Sequence, residues 1–288
     1  MSSKYPIIAV TGSSGAGTTT AAEIFEKIFS EEKIDAAIVH GDSFHKYTRE
    51  QMAKLAAKGQ HGEKNHFSLN ANHIDKLEAL FQDYGTTGTG QYRHYVHDDS
   101  DELVRAGFLP GTFTPWASLP GNSDLLFYEG LHGGVVTDKY NIVQHVDLLI
   151  GMAPIVNLEW IQKIYRDTRF RGYSEDAVVN TIIKRMEDYV RHIVPQFSNT
   201  DINFQRVPLV DTSNPFVMRD VPSDAESMVL IRFKHFRDVN FPYLLQMLPG
   251  SFVSRHDTLV IPGHKMSLAV DLILRPMVLN ILQNKAFI

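Results

Sequence analysis

The 288-residue chain has no cysteine. Disulfides, thiolate metal sites, cysteine nucleophiles and thiol switches are therefore excluded. It also lacks a basic excess: 28 Lys and Arg stand against 33 Asp and Glu, for a formal charge of −5. That balance argues against a nucleic-acid binder, which would carry a broad basic face. It leaves room for a small phosphorylated partner, which needs only a local cluster of cations. No apolar run reaches the ~20 residues expected of a membrane span. No secretory leader is visible, because the apolar start runs straight into a glycine loop. The expectation is a cytoplasmic protein without nucleic-acid or membrane partners. There is no internal repeat and no long linker; Gly85–Gly90 reads as a turn.

One further absence is more informative. Gly12 to Thr19 reads Gly-Ser-Ser-Gly-Ala-Gly-Thr-Thr, and it fits the phosphate-loop pattern G-x-x-x-x-G-K-[ST] except at the lysine. Thr18 stands where that cation belongs. The glycines let the backbone wrap a phosphate, and the N–H groups and the start of the next helix face the anion. Thr19 holds the position whose hydroxyl binds Mg²⁺. Gly12, Ser13, Ser14, Gly15, Ala16, Gly17, Thr18, Thr19 and Thr20 are thus the candidates to hold ATP phosphates.

What surrounds the loop supports it. Tyr5–Thr11 predicts a buried strand, and Thr18–Ile28 predicts a helix with apolar residues at helical spacing. Strands are expected at Ala36–His40, Asp124–Tyr128 and Val146–Gly151. Helices are expected at Thr48–Lys58, Asn72–Tyr84, Asn157–Arg166 and Ser174–Ile193, the last capped by Ser174. The final third adds strands at Phe204–Val210, Met228–Phe233 and Thr258–Ile261, then a helix from Lys265 to about Leu282. This alternation implies one α/β domain. Its mostly parallel central sheet would be flanked by helices and extended by strands from the C-terminal third.

Several charged residues fall at strand ends. Glu129 closes the apolar strand DLLFY, where a carboxylate can hold Mg²⁺ beside the loop. Asp42 follows the second strand; it suits a base that accepts a hydroxyl proton during phosphoryl transfer, or equally a helix N-cap. His45 and Arg49 follow at +3 and +7, so a helical start would bring them to one face, and both suit an anionic acceptor. In the basic hairpin KIYRDTRFRGY, Lys163, Arg166 and Asp167 share a helical face and Arg171 follows. That hairpin, around residues 157–195, suits a lid whose cations neutralise the γ-phosphoryl group; a solvated helix face is the alternative. Of thirteen histidines, none forms an H-x-x-x-H pair or a metal-ligand cluster. His97 is a candidate substrate contact.

Several motifs together resemble the bacterial branch of the phosphoribulokinase family. They are GSSGAGTTT, HGDSFHKYTR, YRHYVHDD, LLFYEGLHGG, PIVNLEWIQKIYRDTRFRGY, VPQFS, INFQRVPLVDTSNPF and FPYLLQMLPGSF, and they span nearly the whole chain. The resemblance implies a P-loop, nucleoside-monophosphate-kinase-like fold. It also implies transfer of the γ-phosphoryl group of ATP to the C1 hydroxyl of ribulose 5-phosphate. In that likeness Asp42 is the base, and Lys163, Arg166 and Asp167 form the catalytic cluster. His45, Arg49, His97 and Arg171 bind the sugar phosphate, and Glu129 is the Mg²⁺ carboxylate. Threonine at position 18 is a feature of that branch. Members are octamers with an anionic effector site, to which Arg232 and Arg255 correspond; a third arginine of that site is replaced here by Glu31. Two other readings are a uridine-kinase-like nucleoside kinase, which needs no phosphate anchors on its acceptor, and a non-catalytic nucleotide sensor, which would not retain Asp42, Glu129 and Asp167.

Overall fold

The computed structural model of the chain describes residues 4–13, 18–58, 65–98, 102–153, 155–218 and 220–285. In chain order the strands are β1 (Ile7–Gly12), β2 (Ala36–His40), β3 (Gln91–Tyr92), β4 (Ala117–Ser118), β5 (Leu125–Gly130), β6 (Leu148–Met152), β7 (Ile202–Pro208), β8 (Ser227–Phe233), β9 (Phe252–Arg255) and β10 (Thr258–Pro262). The helices are α1 (Thr18–Glu32), α2 (Arg49–Lys58), α3 (Ile74–Thr87), α4 (Glu102–Arg105), α5 (Val156–Arg169), α6 (Glu175–Asp188), α7 (Phe241–Met247) and α8 (Met266–Lys285).

β1 is the centre of the molecule because all six of its residues are buried. A strand covered on both faces must be apolar throughout, as Ile-Ile-Ala-Val is. Successive side chains alternate between faces. Ile8 and Val10 pack toward Phe25 and Ile28 of α1 and Ile273 and Leu274 of α8, while Ile7 and Ala9 pack toward Leu77, Phe81 and Tyr84 of α3. The main sheet runs β2-β5-β1-β6-β7-β8-β10-β9. Pairs from β2 to β7 are parallel, and those among β7, β8, β10 and β9 are antiparallel. This is the α/β sheet with a C-terminal extension that the sequence pattern implies. β9, the β3–β4 ribbon, α4 and α7 were not expected; all are short, and their periodicity is too brief to register.

Three boundaries differ from the expected ones. The expected turn at Gly85–Gly90 is partly helix: α3 continues to Thr87 and stops where Gly88 adopts left-handed φ of 74°. The helix expected over Ser174–Ile193 starts as foreseen, with Ser174 accepting from the Ala177 amide, but after Asp188 it widens into a π-helical turn over Tyr189–Ile193. The seventh strand sits two residues earlier than its pattern suggested, at Ile202–Pro208. Finally, Gly263–Gln283 is long and apolar enough to cross a membrane by length and composition, contrary to the expectation of no such run. In the fold its Ala269, Val270, Ile273, Leu274 and Val278 face the core against α1. Arg275, in the middle of the helix, is bonded to Glu31, Glu32 and Asp271.

Between β2 and α2 the chain makes a tight 3-10 turn, Gly41–Phe44. A Cβ on Gly41 would stand 2.6 Å from the Tyr128 hydroxyl and 2.8 Å from the Cα of Gly130. Both contacts are too close for carbon, and one is backbone that cannot swing away. Gly41→Ala should therefore destabilise the protein by about 1–3 kcal/mol, measured by urea unfolding; a parent-like midpoint would contradict this close packing.

Candidate active site

The strand ends define the site. In the parallel register Val10 and His40 both lie opposite Glu129, so the end of β1, the turn after β2 and the end of β5 meet at one sheet edge. Gly12 ends β1 and Ser13 is fully buried. Ser14, Gly15, Ala16 and Gly17, and the side chains of Thr18, Thr19 and Thr20, lie outside the described residues. Ser13 Oγ is buried, beside the Glu159 carboxyl.

Asp42 lies inside the 3-10 turn; the cap position belongs to His40. The N-cap reading therefore falls away. Its two carboxylate oxygens face two histidines: Oδ1 is 3.4 Å from His45 Nε2, and Oδ2 is 3.7 Å from His97 Nε2. The helical start expected to align Asp42, His45 and Arg49 is absent. His45 instead leaves the turn in extended geometry and bridges to Asn72, and α2 begins only at Arg49. His97 comes from another segment, near a cavity of about 520 Å³ whose wall includes Asp42, His94, Tyr95 and His97. Arg49 donates to the His97 carbonyl, so part of its expected anion-binding capacity goes to holding that segment.

Glu129 is no free surface carboxylate. Its side chain is 20% exposed, and its Oε2 lies 3.6 Å from His40 Nδ1. Hydrogen bonding to Glu129 raises the His40 pKa against the effect of burial.

The basic hairpin gathers three cations on one buried carboxylate: Lys163 and Arg166 are half-buried, and the Arg171 side chain is 54% exposed. Asp167 is only 4% exposed. It accepts from Lys163 Nζ, from Arg166 Nε at 3.0 Å and from Arg171 Nη1 at 3.2 Å. Burial pushes the Asp167 carboxyl up, but bonding to Lys163 and the charges of Lys163 and Arg166 outweigh it, leaving the pKa below the ordinary value. Burial lowers the Lys163 pKa more than Asp167 raises it. One turn earlier, Glu159 is buried beside Ser13 and Tyr189, and burial raises its pKa against both hydroxyls. Glu159, Lys163 and Asp167 follow at i, i+4 and i+8, so one face of α5 runs from the phosphate loop to the cation cluster.

Residue-by-residue reading missed Glu159, Arg185, His66, His132 and Gln196. Arg185 sits on α6 between buried Ile182 and Tyr189, over the Phe67 ring at 5.6 Å, and its charge reaches both Asp167 and His45. A charge within an apolar helical stripe was the available signal. Gln196 accepts from Thr11 Oγ1 at 3.0 Å and from the Gly134 amide at 2.9 Å, and donates to the Leu131 and His192 carbonyls. It ties the base of the hairpin to the sheet edge. His66 stacks on His45 with ring centres 3.6 Å apart, and His132 Nε2 lies 3.0 Å from both Asn72 Nδ2 and the His66 carbonyl. Nothing in the spacing of these histidines announces that they meet.

The effector candidates also converge. Arg232 on β8 and Arg255 on β9 both lie opposite Thr258 of the strand between them. Arg232 donates to the Phe197 carbonyl at 3.1 Å, and Arg255 is exposed. Glu31 is paired with Arg275 at 2.5 Å.

Burial lowers the pKa of His45 to about 3 and that of His132 to about 4. Both are neutral in the fold, while the unfolded chain takes up protons below pH ~6.5. Their contribution to stability is therefore complete above that value and is lost as pH falls toward the folded-state values. His132→Gln should flatten the fall in urea stability between about pH 6 and 4.5 by up to ~1.4 kcal/mol per pH unit; an unchanged slope would contradict the burial of a neutral imidazole.

Comparison with known proteins places this geometry. The model of the phosphoribulokinase/uridine kinase family matches residues 7–213. A phosphoribulokinase of Nitrobacter vulgaris is 55% identical over 285 residues, covering 98% of each chain. The chromosomal phosphoribulokinase of Cupriavidus necator is 53% identical, covering 99% of this chain and 98% of its own. The solved structure of phosphoribulokinase from Rhodobacter spheroides superposes with a TM-score of 0.88 at 47% identity, covering 98% of this chain and 99% of that one. The Gly12–Thr19 sequence, the carboxylates at the sheet edge and the whole-chain likeness lead to one conclusion: the chain belongs to the phosphoribulokinase/uridine kinase family.

Proposed function

We propose that this chain transfers the γ-phosphoryl group of ATP to the C1 hydroxyl of D-ribulose 5-phosphate, giving ribulose 1,5-bisphosphate and ADP. The observation that carries it is likeness at about half identity, over the full length of both chains, to relatives named phosphoribulokinase.

The geometry supports the following division of roles. ATP phosphates lie in the Gly12–Thr20 loop, with the buried Ser13 hydroxyl at its entrance and Glu159 beside it. Asp42 accepts the C1 hydroxyl proton as the bond to phosphorus forms. Its carboxylate is flanked by His45 and His97, which orient it and contact the acceptor. Arg49 and Arg171 hold the 5-phosphate by charge. Lys163 and Arg166 stabilise the transferring phosphoryl group. Asp167 fixes them in place, so the missing loop lysine is replaced from α5. Glu129 and Thr19 offer the oxygen donors that suit Mg²⁺, which would supply further neutralisation of the phosphates.

Three coarser assignments accompany this reading. The location is cytoplasmic. The chain forms a homo-oligomer, an octamer by resemblance, and the exposed edge strand β9 is a surface a second copy could cover. Arg232 and Arg255 receive an anionic effector, and Glu31 withholds the third charge from that site.

ATP consumption with ribulose 5-phosphate, ribose 5-phosphate and uridine in parallel tests the acceptor. Only the first should support fast turnover; a preference for uridine would overturn the reading. Asp42→Asn should lower kcat by about 10²–10⁴-fold with little change in KM for ATP, and near-parent turnover would remove Asp42 from the base role. Lys163→Met should depress kcat more than it raises KM for ATP; an effect on KM alone would make Lys163 a simple anchor.

A further inference from the structure

Arg93 belongs to none of the roles above, yet it is heavily engaged beside the Asp42 turn, donating to two backbone carbonyls and stacking on two aromatic rings. It follows β3 on the segment that carries His94, Tyr95 and His97. It is not on the wall of the cavity that those residues line with Asp42. Its guanidinium lies behind the turn, with its central carbon 3.7 Å from the centre of the Phe113 ring and 4.7 Å from that of Trp116. From there Nε donates to the Ser43 carbonyl at 2.8 Å, and Nη2 donates to the His45 carbonyl.

The backbone around Asp42 shows what this accomplishes. The Asp42 carbonyl accepts from the His45 amide at 3.2 Å, and the Phe44 carbonyl accepts from the His73 amide at 2.7 Å. The carbonyls of Ser43 and His45, on either side of Phe44, both go to Arg93. A 3-10 turn of four residues closes few hydrogen bonds of its own. Its orphan carbonyls must find partners when buried, and here one side chain supplies two. A planar, forked donor does this in a way a single ammonium cannot. The strapping is reciprocal: Arg49, just beyond the turn, donates to the His97 carbonyl, and its amide donates to the Gly111 carbonyl at 2.9 Å.

We propose that Arg93 is a positioning residue for Asp42, its stacked guanidinium fixing the Ser43 and His45 carbonyls so that the carboxylate meets the acceptor hydroxyl. This rests on the reading of Asp42 as the base. Burial lowers the Arg93 pKa to about 10, so the group stays charged at neutral pH.

The test uses the full-length protein with ATP and ribulose 5-phosphate. Misplacement of a reacting group by about 1 Å costs on the order of 10²-fold in rate. Arg93→Ala should therefore lower kcat by about 10- to 100-fold, with KM for ATP within about twofold of the parent. Guanidinium ion added at millimolar concentration should restore part of that kcat, and potassium chloride at equal ionic strength should not. Arg93→Lys keeps the charge and most of the bulk, so it remains informative if the alanine variant fails to fold; it should lose kcat with an unchanged urea midpoint. Parent-like kcat in folded Arg93→Lys overturns the proposal, as does a kcat loss matched by an equal rise in KM for ATP, or equal rescue by potassium chloride. Asp42→Asn is assayed alongside. If it keeps parent turnover, the base reading fails and takes this proposal with it. If it is inactive while the Arg93 variants are normal, the role of Arg93 alone is overturned.

Discussion

The register of three parallel strands holds the site together. Glu129 on β5 lies opposite His40 on β2 and opposite Val10 on β1. Every parallel strand that stops at this edge delivers the next residue of its loop to the same layer. Gly12 and Ser13, Asp42 and Glu129 are far apart in sequence, yet the ladder leaves them little freedom to be elsewhere. A slip of one residue in β1 would turn its core set to the opposite face. Because Ile7, Ile8, Ala9 and Val10 are all fully buried, such a slip would disturb both cores at once. The buried core thus enforces the alignment of the polar residues at its edge.

On that edge the protein handles charge in two different ways. Asp42 stays 40% exposed at its side chain, with a histidine near each oxygen. Such a wet setting suits the proposed base, which must take and release a proton. Asp167 is buried and saturated with three cationic partners. A carboxylate so engaged is poorly suited to accept a proton. Its surroundings suit a rigid anion that holds Lys163 and Arg166 together, because an unpaired cation as buried as Lys163 would be costly. The roles proposed for the two aspartates differ because their surroundings differ.

How far the sequence revealed this depends on the range of the interaction. The sheet, α1, the hairpin helices and the Ser174 cap follow from local periodicity and local chemistry. Asp42, Glu129 and the Lys163–Arg171 run were legible because each stands at the end of an element whose pattern is clear. The turn at Gly41–Phe44 was mistaken for a helical start, since four residues of 3-10 geometry carry no periodic signal. The contacts of His66, His132, Gln196 and Arg93 were invisible for another reason. Each depends on partners tens of residues away, and a polar residue in an irregular segment does not announce its partner. The long apolar run of α8 was underestimated because Asp271 and Arg275 interrupt it, although α1 supplies the partners for Arg275.

The central claim is a direct transfer: the acceptor hydroxyl, deprotonated by Asp42, attacks phosphorus in line, with no group on the protein becoming phosphorylated. His45 and Asp42 stand side by side at the proposed acceptor site, so a two-step route through either is a chemically meaningful rival. The stereochemical course at phosphorus separates the two. With ATP made chiral at its γ-phosphorus, direct in-line transfer predicts inversion of configuration in the ribulose 1,5-bisphosphate formed. Retention would contradict it.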